Sequence, residues 1–393
     1  MAWQKVKLGD VCAWITSGGT PLTSKPDYYS PKEIPWLKTQ EVNYCRIYET
    51  NNQISKKGLE NSSAKLIPAN AVIVAMYGQG DTAGRVAINK IPLCTNQACC
   101  NLVIDENKAD YEFVYYNLCT LYDKLVSLKN GGAQPNLNAG LIKNLEISLP
   151  PLSTQKRIAD ILSAYDNLIE NNQKQIKLLE EAAQRLYKQW FIDLRYPGHE
   201  TTPIVDGLPE GWRREKLVDF ADVVMGQSPK SEFYNQEKKG LPFHQGVGSY
   251  GTRFVIDETY TSSITRIVEA GSILFSVRAP VGRLNFTKNK IVIGRGLAAI
   301  NHKAKCQSFL FYMLKDRFFK DDILGNGAIF ASISKDELLN QKFVIPSREL
   351  MSKFNTIASA IDDKISTADA QIQHLTQSRN RLLPKLMNGM MCF

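Results

Sequence analysis

Ile161-Leu-Ser-Ala-Tyr-Asp-Asn-Leu-Ile169 lies without gaps on Ile357-Ala-Ser-Ala-Ile-Asp-Asp-Lys-Ile365, 196 residues later. The same offset persists through Ile176/Ile372, Leu179/Leu375, Arg185/Arg381 and Leu186/Leu382, and upstream at Leu149-Pro150/Ile345-Pro346. Nearer the start it drifts. Trp3, Leu8 and Asp10 meet Trp212, Leu217 and Asp219 at an offset of 209, and Gly84-Arg85 meets Gly282-Arg283 at 198. Globular parts that vary in length, each followed by a helix that does not, produce this pattern. The chain is an internal duplication.

The matched stretches are strongly periodic. Steps of four and three from Ile158 reach Leu162, Tyr165, Ile169, Asn172, Ile176, Leu179, Ala183, Leu186 and Trp190, with only Asn172 polar. The same walk from Phe354 reaches Ala358, Ile361, Ile365, Ala368, Ile372, Leu375, Arg379, Leu382 and Leu386, with only Arg379 polar. A heptad seam of this length asks for a partner helix rather than a broad core. The first helix is expected to stop before Pro197-Gly198, and the second to be interrupted or ended by Pro384. Because the first helix leads from one globular half into the other, pairing along the seam requires the second to run back antiparallel. Each helix spans about 55 Å. A dumbbell with a pseudo-twofold axis is expected, its C-terminus returning near its N-terminus.

The sequence therefore predicts an α+β protein with two homologous α/β domains separated by two long antiparallel coiled-coil helices. The expected boundaries are 1–150, 151–197, 198–345 and 346–393. A length of 393 residues already exceeds one ordinary core, while 44% hydrophobic and 22% charged residues suit a folded chain. Ala71-Val72-Ile73-Val74 and Ser272-Ile273-Leu274-Phe275 read as strands. Tyr111 to Val126 and Ser308 to Lys320 read as helices. Turn-forming loops recur at matching places: Ser17-Gly18-Gly19-Thr20-Pro21 beside Gly226-Gln227-Ser228-Pro229, and Asn130-Gly131-Gly132-Ala133 beside Gly325-Asn326-Gly327-Ala328. No apolar run reaches the length of a membrane span, and Met1-Ala2-Trp3-Gln4-Lys5 lacks an export pattern, so a cytoplasmic protein is expected.

Catalytic machinery is not legible. The eight cysteines form no C-x-x-C pair, and no histidine accompanies Cys94, Cys99 and Cys100, so no metal site is expected and buried thiols are the better explanation. Gly246-Val-Gly-Ser-Tyr-Gly251 fits G-x-G-x-x-G, but Thr252-Arg-Phe-Val-Ile256 after it is strand-like where a nucleotide fold needs a helix. There is no phosphate-binding G-x-x-x-x-G-K-[ST] loop. Pro26-Asp27 and Glu237-Lys238-Lys239, fragments of a metal-dependent nuclease site, lie in different halves without recurring. A non-enzymatic chain that binds no cofactor is expected.

Nucleic-acid binding has positive support. The balance of 48 Lys and Arg against 39 Asp and Glu gives +9, spread over all segments. No acid occurs between Ala270 and Lys315, whereas Arg278, Arg283, Lys288, Lys290, Arg295, Lys303, Lys305 and Lys315 do. Such a stretch can neutralise phosphates, and arginine can read guanine. The first half offers Gln79, Arg85, Asn96, Gln97, Gln134 and Asn136, and Asn and Gln are the natural readers of adenine. The loop residues Ser17, Gly19, Thr20, Gln227 and Ser228 complete the candidate DNA-binding set. Twelve positions form the candidate coiled-coil seam: Ile158, Leu162, Tyr165, Ile169, Ile176, Leu179, Leu186, Ile361, Ile365, Ile372, Leu375 and Leu382.

Pro150-Pro151-Leu152-Ser153-Thr154-Gln155-Lys156-Arg157-Ile158-Ala159-Asp160-Ile161-Leu162, Leu186-Tyr187-Lys188-Gln189-Trp190-Phe191 and Arg195-Tyr196-Pro197-Gly198-His199-Glu200 resemble the central conserved region of type I restriction-modification specificity subunits. The resemblance covers the whole chain as target-recognition domain, spacer helix, second recognition domain and second spacer helix. It implies a non-catalytic DNA-specificity subunit with a bipartite, asymmetric double-stranded DNA target. It also implies assembly with two adenine-methylating modification subunits and two restriction (nuclease and translocase) subunits. Those partners use S-adenosylmethionine, ATP and Mg; this chain binds none. The outward faces of the first helix, such as Gln173, Lys177, Glu180 and Gln184, are expected to dock the modification subunits. A nuclease acting alone and a coiled-coil scaffold without a DNA role are the alternatives.

Overall fold

A computed structural model describes residues 3–129, 136–318 and 332–390. The chain divides into two compact units, Met1–Asn171 with Gln371–Phe393 and Asn172–Ala370. Each unit is therefore assembled from a globular domain plus part of each long helix.

In the first unit, a five-stranded sheet runs in the order Cys12–Ser17, Cys99–Ile104, Val72–Ala75, Val86–Asn89, Cys45–Ile47. Side chains alternate across it, as a pleated strand requires. Val72, Val74, Cys100 and Leu102 face one core with the helix Tyr111–Thr120, while Ile73, Ala75, Ala87 and Cys99 face a second core with Leu37, Val42, Ile67 and Leu93. Two covered faces explain why Val72–Ala75 is buried at every residue. A smaller sheet, Asn52–Ile54, Ile34–Leu37 and Cys94–Thr95, carries a parallel pairing of Trp36 with Cys94. Gln4–Lys7 pairs antiparallel with Glu146–Leu149, so the domain's first and last strands close it just before the long helix.

The second unit repeats this plan. Its main sheet runs Ala221–Met225, Leu297–His302, Ile273–Ser276, Leu284–Phe286, and Arg213–Lys216 pairs with Lys342–Ile345 to close the domain. Ile273, Phe275, Ala298 and Ile300 pack on the helix Gln307–Phe318, while Leu274, Leu297 and Ala299 join Ile291 and Ile293 on the other face. Phe243 pairs parallel with Val292, as Trp36 does with Cys94. The α+β duplication read from the sequence is thus repeated in the first four strands of the main sheet, while the main and second sheets have five and three strands in the first unit and four and five in the second.

The two long helices are Leu152–Tyr187 and Arg348–Met387. In the first unit Ile158 and Leu162 share a core with Leu382, Leu386 and Met387, and Asp166 meets Arg379. In the second, Ala183, Leu186 and Tyr187 share one with Phe354, Ala358 and Ile361, and the Tyr187 and Phe354 rings lie 5.8 Å apart. In the first unit, later residues of one helix meet earlier residues of the other, so the pair is antiparallel. Every one of the twelve candidate seam side chains is buried or half-buried.

Two local expectations are corrected. Pro384 neither interrupts nor ends the second helix, which continues to Met387. It sits in the final turn, where the missing N–H removes a single rung and few residues remain to be displaced. The first helix stops before Pro197 as expected: it is α-helical to Tyr187, a π-helical turn, Lys188–Ile192, follows, and Leu194 takes a φ of 56°. The helix expected over Tyr111 to Val126 is two, Tyr111–Thr120 and Tyr122–Ser127, broken at Leu121.

Candidate nucleic-acid interface

The paired Gly/Ser loops are held by the same backbone bonds in both domains. Gly18 N–H donates to the Cys99 carbonyl (3.2 Å) and Gly19 N–H to that of Thr95 (2.9 Å). Gly226 N–H donates to the Leu297 carbonyl and Gln227 N–H to that of Ile293, both at 2.9 Å. A Cβ at Gly18 would fall on the oxygens of Thr95 and Asn96, and one at Gly226 on the Gly294 carbonyl. Only glycine permits that approach. Each first loop is thereby pinned beside a turn, carrying Asn96-Gln97 before the strand Cys99–Ile104 in one domain and Gly294-Arg295 before Leu297–His302 in the other.

Side chains meet across this junction. In the first domain the Thr20 hydroxyl donates to Gln97 Oε1, and Gln97 is exposed. In the second, Ser228 Oγ accepts from the Arg295 backbone N–H at 3.1 Å and donates to Gln245 Oε1 at 2.8 Å. An open cleft of about 880 Å³ lies here, lined by Gln227, Ser228, Tyr234, Phe243, Gln245 and Arg295 among others. Gln245 was not legible as a site residue; its position next to the G-x-G-x-x-G turn gave no sign that it would face Ser228.

The other candidates separate into groups. Ser17 ends its strand opposite Cys100, and Gly19 is buried, its carbonyl accepting from Trp36 Nε1 at 3.0 Å. Asn96 is half-buried, its amide oxygen taken by the Cys99 thiol. Gln79 and Asn136 are exposed, and Arg85 is turned to Asp81 (2.6 Å) and Asn43 (3.0 Å). Gln134 lies outside the described residues, as do Asn130 to Ala133 and Gly325 to Ala328. Arg278 and Arg295 are exposed, and Arg283 is half-buried.

Part of the positive charge in the acid-free stretch from Ala270 to Lys315 is already engaged within the chain. Its counter-charges come from elsewhere: Lys288 pairs with Asp369 (2.6 Å), Lys290 with Glu269 (2.9 Å) and Lys315 with Glu180 (3.9 Å). Lys303 donates to the Val218 carbonyl at 2.6 Å, at the end of the short helix Leu217–Phe220. Among the described residues no group of three or more His, Cys, Asp or Glu could hold a metal ion, and no helix is long and apolar enough to cross a membrane.

Residues 2–181 and 209–377 match the type I restriction modification DNA specificity domain. The chain belongs to that family. A putative type I restriction enzyme MjaX specificity subunit of Methanocaldococcus jannaschii is 34% identical over 294 residues, covering 72% of this chain and 69% of the relative. The type I restriction enzyme MjaIX specificity subunit of the same organism is 27% identical over 407 residues, covering 98% and 93%. The crystal structure of a type I restriction-modification S subunit from M. genitalium shares the fold, with a TM-score of 0.62 at 18% identity over 98% of this chain and 96% of that one. This chain is a DNA-specificity subunit, a non-catalytic component of a type I restriction-modification enzyme.

Each domain of the specificity subunit is fastened to a long helix by ionic contacts. Tyr116 Oη donates to Asp166 at 2.5 Å, and Arg379 closes on the other oxygen of Asp166 at 2.5 Å. In the second unit Tyr312 Oη donates to Asp362 at 3.0 Å, and Arg253 bonds the same carboxylate at 2.5 Å. Tyr116 and Tyr312, like Asp166 and Asp362, are 196 residues apart. The arginine differs in origin, coming from the long helix in one unit and from a domain loop in the other. Burial and the neighbouring carboxylate push the tyrosine hydroxyls far above their usual range, so both remain donors. Arg46 adds bonds to Glu112 (3.2 Å) and Asn167 (2.5 Å). Glu180, expected on an outward docking face, instead pairs with Arg253 (3.6 Å) and Lys315, and Gln184 is half-buried beside it on the same helix.

Proposed function

We propose that this chain gives its complex a bipartite DNA specificity, the domain over 1–150 reading one half-site and the domain over 198–345 the other. The paired helices, over 151–197 and 346–393, set the gap between half-sites, because changing their length moves and rotates one reader relative to the other. They also dock two modification subunits, and two restriction subunits join for cleavage. The chain holds no cofactor; S-adenosylmethionine, ATP and Mg belong to the partners. It acts in the cytoplasm.

The observation that carries this reading is the unlike chemistry of equivalent loops. Two domains of one architecture expose Gln97 with Thr20 in one case and Arg295 with Ser228 and Gln245 in the other. Readers built alike but furnished differently suit a target with two unlike halves.

The test is to co-express the full chain with the modification subunit of its own system and map methylated adenines genome-wide, with and without it. Methylation confined to one two-part motif with a fixed gap is expected. Methylation that does not depend on the chain would sink the reading and favour the scaffold alternative.

A further inference from the structure

We infer that Arg295 and Gln97 occupy one and the same reading position in the two domains, Arg295 recognising a guanine in the second half-site and Gln97 an adenine at the corresponding step of the first. This rests on the bipartite reading above and assigns individual bases within it.

Equivalence comes from the backbone. The bonds Gly18–Cys99 and Gly19–Thr95 recur as Gly226–Leu297 and Gln227–Ile293, so Thr95-Asn96-Gln97-Ala98-Cys99 overlies Ile293-Gly294-Arg295-Gly296-Leu297 residue for residue. In both turns only the middle side chain is fully offered to solvent. Gly294 and Gly296 have none, and a Cβ on either would strike Gln245. Ala98 is buried, and Asn96 is half-buried with its N–H bonded to the Leu37 carbonyl at 2.9 Å. Each turn thus exposes one long polar side chain at its tip.

The local bonds suit the assigned bases. Thr20 takes one lone pair of Gln97 Oε1, leaving the second lone pair and both amide hydrogens for the donor-acceptor edge of adenine. Arg295 is anchored through its backbone N–H on Ser228, which leaves its exposed guanidinium to reach the two acceptors of guanine. Ser228 also engages Gln245 Oε1, so the amide nitrogen of Gln245, at the rim of the same cleft, is a further donor toward an acceptor-rich edge.

The experiment uses the full chain with its modification subunit and compares Arg295→Gln, Arg295→Lys and Gln97→Arg, reading methylated motifs genome-wide and methylation rates on the parent motif. Each variant should lower the rate on the parent motif about 5- to 150-fold, the range of one bidentate base contact. Arg295→Gln should relax or replace a single guanine in the second half-site, with the first half-site and gap unchanged. Gln97→Arg should do the same to one adenine in the first. Arg295→Lys should keep the guanine preference at a reduced rate, unlike Arg295→Gln, because an ammonium still donates to the acceptors of guanine without the planar fork. A uniform loss with base preference intact would assign Arg295 to a phosphate and overturn the inference. An unchanged motif in both domains would overturn it alone; a parent chain directing no two-part motif would remove the bipartite reading with it.

Discussion

Asp166 and Asp362 sit inside the stretch that reveals the duplication, yet their task could not be read there. The match shows two aspartates on two helices; only the fold shows that each receives a tyrosine from the domain helix and an arginine from elsewhere. Sequence spacing ties Asp362 to Asp166 but not to Arg253, 109 residues away. Arg253 is buried among Phe286, Phe311 and Tyr312, its guanidinium 3.6 Å from the Phe311 ring centre. A cation so enclosed depends on its counter-charge. Asp362→Asn keeps the shape and removes the charge, and should cost about 3 kcal/mol, the usual penalty for orphaning one partner of a buried pair. Urea unfolding would measure it; a loss under ~1 kcal/mol would mean that Glu180 suffices. Among the described residues four thiols are buried as expected, Cys94, Cys99, Cys100 and Cys306, while Cys12, Cys45 and Cys119 are half-buried. Burial pushes Cys94 up to about 11, Cys100 up to about 12 and Cys99 higher still. Because a raised thiol has almost no thiolate at neutral pH, a thiol-specific reagent at pH 8 should leave these three unlabelled in the native chain and modify them in urea.

At the scale of elements, legibility followed length. The seam of the long helices was visible because ten successive positions obey one period, and those positions include Ile158, Leu162, Ile365 and Ala358, all buried in full. Leu162→Ala should therefore cost about 2–5 kcal/mol, whereas Leu178→Ala, on the same helix but 55% exposed, should change stability by under about 0.5 kcal/mol. Equal losses from the two in thermal or urea unfolding would refute the assignment of the buried face. The short strands of the second layer, such as Cys94–Thr95, offer too few residues for any period to be read. Leu121 was overlooked for the opposite reason, since the apolar spacing runs on across the break. Pro384 misled because a stop rule carries no information about how little helix remains beyond it. In the candidate site, residue type pointed to Gln97 and Arg295. What chain order concealed was the loop-to-turn junction, which joins Thr20 to Gln97 across 77 residues.

Over the whole molecule, the chain does not finish its first unit before beginning its second. Residues up to Asn171 and those from Gln371 onward belong to the same unit, and Leu386 and Met387 lie in the core that contains Phe113 and Leu162. A chain stopped after Ala370 would leave that core open and Asp166 without Arg379. Limited proteolysis should then cut within the first 150 residues as well as near the new end; a first domain as resistant as in the full chain would contradict this. The interval also has a duration. Roughly 200 residues separate the two parts of the first unit, and at about 5–20 residues per second the ribosome needs about 10–40 seconds to cover them. During that time the half-built unit lacks Leu386 and Met387, which complete the core around Leu162. A message broken late in translation would yield a product whose earliest-made domain lacks part of its own core.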